Sequence, residues 1–300
     1  MGRSHSSPPP SVAAALAKAF AQIPLVRAVV LGGSFRTGSA DAGSDVDLYV
    51  DSDAEPPLSL RLDLARAFGR PAWVGCTAFG HGDEWPAPEG QPAVDLMYWT
   101  PAWIEQQLAR VLDHHEASVG YSTCFWHTVR ESLPLFDRDG WFEWLQARAN
   151  CPYPRGLRTA IVAKNFPLLR ETPFSFVHQI ETAVGRDDPL TVQHRSAALL
   201  GSYFDVLFAL NEVPHPGEKR LVQHARDRCA IVPTEFEGSV SRFLRAAGSV
   251  PPDAEVVSAA QALLDGLDRL LTIDDRASLS SAGSFSPPRS PEETEANEDK

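Results

Sequence analysis

Lysine is scarce in this sequence: Lys18, Lys164, Lys219 and, at the last position, Lys300. No run of Lys and Arg forms a cationic track, and the formal net charge is −12 at pH 7. Proteins that hold long nucleic acids need such a track to neutralise phosphates, so a polymeric nucleic-acid partner is disfavoured. A small cationic molecule suits an acidic chain better, although net charge describes a surface rather than a site. Long apolar runs are also missing. None approaches the length that spans a bilayer, so no membrane partner is expected. The opening stretch MGRSHSSPPPS lacks the apolar core of a secretion signal, which points to the cytoplasm. The four cysteines, Cys76, Cys124, Cys151 and Cys229, are scattered without a Cys-x-x-Cys pair. This argues against a zinc knuckle or a disulfide framework and for buried thiols in a reducing compartment.

The densest chemical signal runs from Val29 to Val50. Ala28 to Leu31 is an apolar run that reads as a short buried strand. Gly32-Gly33-Ser34 follows, a turn whose glycines let the backbone approach a ligand closely. Ser44-Asp45-Val46-Asp47-Leu48-Tyr49-Val50 then alternates polar and apolar, as a strand with one face in a site does. Residues two apart on a strand point the same way, so Asp45 and Asp47 project together. Two adjacent carboxylates repel unless a cation neutralises them. Mg²⁺ is held by one or two carboxylates together with substrate phosphates. The Gly-Gly-Ser turn supplies N–H groups and a hydroxyl to such phosphates. Alone, an Asp-x-Asp is more often a solvated strand end or a calcium loop. With the Gly-Ser element at this spacing, it reads as a site for a metal-bound nucleoside triphosphate. Arg36, two residues past Ser34, offers a fork of donors to phosphate oxygens. Ser44 precedes the acids and either joins the nucleotide or caps the turn.

Gly33-Ser34, Gly38 and Ser44-Asp45-Val46-Asp47-Leu48 resemble the signature of the DNA polymerase beta-like nucleotidyltransferase superfamily. Small antibiotic-type members that modify aminoglycosides or lincosamides are the most similar in character. The resemblance covers about twenty residues and implies the fold of the N-terminal domain, not the substrate. It implies a mixed β-sheet flanked by helices, and the helical periodicity of the second half adds a C-terminal all-α bundle, so the expected fold is α+β. The resemblance also implies that Asp45 and Asp47 hold metal and that Gly33 and Ser34 hold the β- and γ-phosphates. A third carboxylate on a later strand, for which Asp95 in Ala93–Trp99 is the candidate, would complete the metal site or act as general base. Two Mg²⁺ ions are expected, with an NTP, ATP foremost, as donor. Leu210-Asn211, followed by Pro216-Gly217-Glu218-Lys219, is similar to a Leu-Asn … Pro-x-x-Lys turn in the C-terminal domains of small relatives, and that resemblance implies that Lys219 contacts the triphosphate and Asn211 orients it. Both residues fit a capped helix junction equally well, with Asn at a helix end and a Pro-Gly turn.

Along the chain, residues 1–11 read as a disordered Pro/Ser leader. Residues 12–150 read as the catalytic domain. It contains a helix over 12–22 capped by Ser11, a helix over 59–68, a strand over 72–76, a helix over 101–114, a strand near 133–137 and a helix over 141–149. The Gly- and Pro-rich stretch 80–92 reads as a long loop between two strands, a hairpin tip more than a border of the site. Residues 151–272 carry six stretches of helical periodicity: 155–169, 174–185, 189–211, 218–226, 234–247 and 253–271. Residues 273–300 form a Ser-, Pro- and Glu-rich tail that reads as disordered.

These observations favour a Mg²⁺-dependent nucleotidyltransferase with a small-molecule acceptor. A protein or tRNA acceptor and a non-catalytic Mg-NTP sensor are the rival readings. Asp95 favours an enzyme over the sensor, since a pure binder has no use for a third acid.

Overall fold

The computed structural model describes residues 8–37, 40–41, 43–70, 72–78, 80–272 and 275. Gly38, the leader 1–7 and most of the tail from 273 onward lie outside the described residues. The described chain forms two compact units. The first comprises Met1–Glu116, Ser122–Leu157 and Pro214–Leu221; the second comprises Ala117–Tyr121, Arg158–Val213 and Val222–Lys300.

The first unit contains, in order, α1 (Ser11–Phe20), β1 (Val26–Leu31), α2 (Gly33–Thr37), β2 (Val46–Ser52), α3 (Leu58–Ala67), β3 (Trp73–Cys76), β4 (Gly82–Trp85), β5 (Val94–Trp99), α4 (Pro101–Leu112), α5 (Cys124–Glu131), β6 (Leu133–Asp137) and α6 (Trp141–Ala149). A six-stranded sheet has the order β3-β4-β5-β2-β1-β6. Only β2 and β5 pair in parallel, so the sheet is mixed and the fold α+β. The alternation read from the sequence is kept on β2, and β5 alternates in the same way. Val46, Leu48 and Val50 are buried on one face, as are Val94, Leu96 and Tyr98. They pack with Leu16 and Phe20 of α1 into the core of the unit. Each such aliphatic side chain contributes about 1.5–3 kcal/mol on burial. The opposite face carries Asp47 and Tyr49 on β2 and Asp95, Met97 and Trp99 on β5, with Tyr49 stacked on Trp99 at 4.3 Å between ring centroids.

Three details differ from the sequence-based expectation. Pro10, not Ser11, stands at the N-cap of α1, without a side-chain cap bond; Ser11 is already helical. The stretch 80–92 is not all loop, because β4 lies within it. Asp83 of β4 points into the core, where it accepts from Arg61 Nε at 3.0 Å, Tyr98 Oη at 2.7 Å and the Gly75 amide at 2.9 Å. Arg61 also bonds Glu55 and is fully buried. A buried ion pair, not an apolar pattern, seats this strand. Finally, the helix expected over 218–226 begins later, as α10 (Leu221–Arg228), because Gly217 and Arg220 adopt φ of +106° and +55°.

The second unit is helical. Alongside α10 it holds α7 (Arg155–Arg170), α8 (Phe176–Gly185), α9 (Pro189–Leu210), α11 (Phe236–Ala247) and α12 (Glu255–Asp268). Asp188 caps α9 by accepting from the Thr191 amide at 3.0 Å, with Pro189 in the first turn. Tyr203 is fully buried in this unit. Asn165, also fully buried, accepts from the Gly120 amide at 2.8 Å and from Ser202 Oγ at 2.9 Å, and donates to the Ser118 carbonyl at 2.9 Å. These bonds tie Ala117–Tyr121 into the helical unit.

Candidate active site

The site begins where β1 ends. The Gly32 amide donates to the Asp47 carbonyl at 3.0 Å, which continues the β1–β2 ladder by one bond. Gly33 then turns the chain at φ +60°. A Cβ on Gly33 would fall 1.7 Å from Asp47 Oδ2, and one on Gly32 would fall 2.5 Å from Tyr49 Cε2. Both positions therefore exclude a side chain, Gly33 on two counts. Ser34 follows in α2, and half-buried Arg36 has a buried Nε without a hydrogen-bond partner.

Parallel pairing of β2 and β5 sets Asp47 beside Asp95. Antiparallel pairing of β5 and β4 sets Glu84 on the other side of Asp95. Three neighbouring strands thus present a carboxylate at one level of the sheet. Asp45, exposed, stands one residue ahead of β2. Glu84 was not singled out from the sequence, because the strand that carries it has no alternating apolar pattern.

The electrostatics follow from this crowding. Burial raises the Asp95 pKa to about 6, and Asp45, Asp47 and Glu84 push in the same direction while Lys219 opposes them. Asp47 is also raised, first by burial, with Lys219 opposing and Asp45 adding. Tyr49 is pushed up to about 12 by burial and by Asp47. The cluster is short of positive charge. Its donors are all carboxylate oxygens, the set that suits a hard divalent cation. Among the described residues, no three His, Cys, Asp or Glu side chains gather closely enough to hold a metal by themselves. Mg²⁺ does not require that, since it takes one or two carboxylates and completes its shell with phosphates and water. On donor chemistry the site fits the ion.

Lys219 reaches this cluster because Pro214–Leu221 belongs to the first unit, although its neighbours on both sides in sequence belong to the second. Ser44 pins the approach to β2: its Oγ accepts from the Asp41 amide at 2.8 Å and donates to Asp41 Oδ1 at 3.1 Å. The Gly43 amide, Ser44 and Arg220 hold the Asp41 carboxyl below its usual range. Asn211 stands in the second unit, at the end of α9. Its amide donates to the carbonyls of Leu207 and Ile231 and accepts from the Ile231 amide, all at 2.8–2.9 Å. His114, His115 and Glu116 form no shared site. His115 instead packs so closely on Gly156 that a Cβ there would lie 2.3 Å from its Nδ1.

A Gly-Ser turn packs on an Asp-x-Asp strand with a third acid in register on a parallel neighbour, the arrangement that the resemblance to nucleotidyltransferases implies. Residues 14–74 match the nucleotidyltransferase domain family, a stretch that includes β1, the Gly33–Ser34 turn, Asp45 and Asp47. The N-terminal part of the chain is a nucleotidyltransferase domain, as the resemblance to the DNA polymerase beta-like superfamily implied, and the protein is a transferase. Among solved structures, the chain is similar to a nucleotidyltransferase-like protein from Exiguobacterium sibiricum 255-15. The identity is 13%, the alignment covers 89% of this chain and 76% of that one, and the TM-score is 0.42, too loose to support inference. No curated protein matches the chain.

Proposed function

We propose that the protein is a Mg²⁺-dependent nucleotidyltransferase that moves a nucleoside monophosphate from an NTP, ATP foremost, to a hydroxyl of a small cationic acceptor of aminoglycoside type. The observation that carries this reading is the Asp47–Asp95 pair, adjacent across β2 and β5 and short of positive charge. Asp45, Asp47 and Asp95 are the carboxylates that hold the metal, which stabilises charge on the attacking and leaving oxygens when bound. Gly33 and Ser34 take the β- and γ-phosphates. Arg36, with its unpartnered Nε, and Lys219, acting on both acids, neutralise the triphosphate.

The acceptor oxygen bonds to the α-phosphorus, the bond from that phosphorus to pyrophosphate breaks, and pyrophosphate leaves. Asp95, in register beside Asp47, takes the hydroxyl proton or completes the metal site. Ser44 orders the approach to Asp45 through Asp41 rather than touching the nucleotide. The amide of Asn211 is already committed within the helical unit, and we assign it a capping role. The acidic chain, at −12, favours a cationic acceptor over RNA. The four free cysteines suit a cytoplasmic location. No helix among the described residues is long and apolar enough to cross a membrane.

Transfer of label from NTPs radiolabelled at the α-phosphate tests the reading. The acceptors are aminoglycosides, lincosamides and a cell extract split into small-molecule, protein and RNA fractions. Label in the small-molecule fraction, absent with Asp47→Ala, is the expected result. Label in protein or RNA would replace the acceptor class. Mg-NTP binding without any transfer would replace the enzyme with a sensor.

A further inference from the structure

The segment that carries Lys219 is fastened at both ends, and the fastenings are unlike each other. At its start, Pro214 and His215 are buried in the first unit. The His215 amide donates to Thr123 Oγ1 at 2.7 Å, and Thr123 is only 1% exposed. The Gly217 amide then donates to His215 Nδ1 at 3.1 Å, with Cys124 Sγ 3.7 Å from the same nitrogen. A ring nitrogen that accepts from an amide carries no proton, so this turn holds a neutral imidazole. Gly217 at φ +106° allows the chain to double back over the ring. At its end, Arg220 pairs with Asp41 at 2.7 Å, and Asp41 is the residue that Ser44 and Gly43 bind ahead of Asp45. Lys219 lies between the two fastenings.

We propose that Thr123 and His215 are positioning residues that latch Pro214–Leu221 onto the catalytic unit and so set Lys219 at the Asp47–Asp95 pair for the incoming triphosphate. The inference rests on the proposed NTP reading. The buried end dominates. The Arg220–Asp41 pair is solvent-exposed, at 45% and 62%, and exposed pairs contribute little. Removing the Thr123 hydroxyl, in contrast, strands a buried amide. A segment drawn from between two helical stretches thereby becomes part of a site whose acids come from the opposite end of the sequence.

The test uses the full-length protein and the Mg²⁺ complexes of ATP, GTP, CTP and UTP in equilibrium binding, with amide hydrogen exchange of residues 214–221 as a separate readout. The variants are Thr123→Val, Thr123→Ser, Lys219→Ala and the double Thr123→Val/Lys219→Ala. Lys219→Ala should weaken NTP binding about tenfold, as losing a charge-assisted contact does. Thr123→Val, nearly isosteric, should weaken it by a similar or smaller factor and speed exchange of the His215 and Gly217 amides. Thr123→Ser should restore both. The double variant should bind no more weakly than Lys219→Ala alone, since a residue that acts only through Lys219 has nothing left to position. Additive losses, or unchanged exchange in Thr123→Val, would overturn the latch while leaving the NTP reading intact. A wild-type protein that binds none of the four complexes would overturn the reading itself.

Discussion

The two faces of one sheet treat their acids in opposite ways. On the core face, Asp83 is buried and satisfied by the Arg61 guanidinium, the Tyr98 hydroxyl and the Gly75 amide. On the other face, Asp47 and Asp95 stand side by side with raised pKa values, and Lys219 is the cation that opposes the crowding. Asp83 on β4 is one residue, and so one face, away from Glu84, which pairs with Asp95. The fold supplied Asp83 with partners and left the other acids short of charge. Burying charge is costly unless it is paired, so acids with internal partners hold the structure, and acids without them await something from outside.

The largest effect expected from this contrast is on activity. Asp47→Asn and Asp95→Asn should each lower the transfer rate by about a thousandfold, the scale of losing a principal electrostatic element of a site. Their unfolding temperatures should stay level or rise, since each relieves like-charge repulsion. Arg61→Ala should do the reverse. Leaving Asp83 buried and unpaired should cost about 3–5 kcal/mol in chemical denaturation. A small loss there, or a large one at Asp47, would erase the distinction between the faces.

Asp51 sharpens the comparison, because it combines features of both sets. It is 1% exposed, neither carboxyl oxygen has a hydrogen-bond partner, and burial with Asp137 nearby pushes its pKa to about 8. Between the ordinary value of 3.8 and about 8, the folded chain keeps a proton that the unfolded chain releases. Stability from this group therefore falls as pH rises through that window and levels off above it. Asp51→Asn, which cannot ionise, should flatten that slope, as read by denaturant unfolding across pH. The smallest effect belongs to Arg220→Ala. Losing its exposed pair with Asp41 should cost about 0–1 kcal/mol, and less at high salt.

What could be read from the sequence was what is local in it. The Gly33–Ser34 turn and the acids Asp45 and Asp47 lie within one short stretch, and the alternation of β2 foretold which side chains face the core. Helical periodicity located the six helices of the second half among the described residues, one of them with a start three residues early, since a 3.6-residue pattern needs no distant partner to be seen. The misses came where a long-range partner decides the outcome. β4 reads as loop because Gly82–Trp85 lacks apolar alternation, and Asp83 is tolerable inside because of partners outside the strand: Arg61 on α3, Tyr98 on β5 and the Gly75 amide. With β4 unseen, Glu84 went unnoticed. The register that sets Asp47 beside Asp95 is likewise a property of strand pairing. The helix expected from 218 failed on two left-handed backbone positions, which composition does not reveal at Arg220. The membership of Pro214–Leu221 in the catalytic unit depends on Thr123 and Asp41, neither of which stands near it in sequence. The scarcity of lysine was the one local hint.

The central claim is that the Asp47–Asp95 face is built to receive a cation and the nucleotide that comes with it. Thermal unfolding of the wild type and Asp47→Asn, each alone and with Mg²⁺ plus each NTP, tests it most directly. Without ligand, Asp47→Asn should unfold at the same temperature as the wild type or higher. With at least one Mg-NTP, only the wild type should gain, as a ligand that binds the folded state raises its stability. An Asp47→Asn protein that is clearly weakened without ligand, and stabilised as much as the wild type with it, would contradict the account.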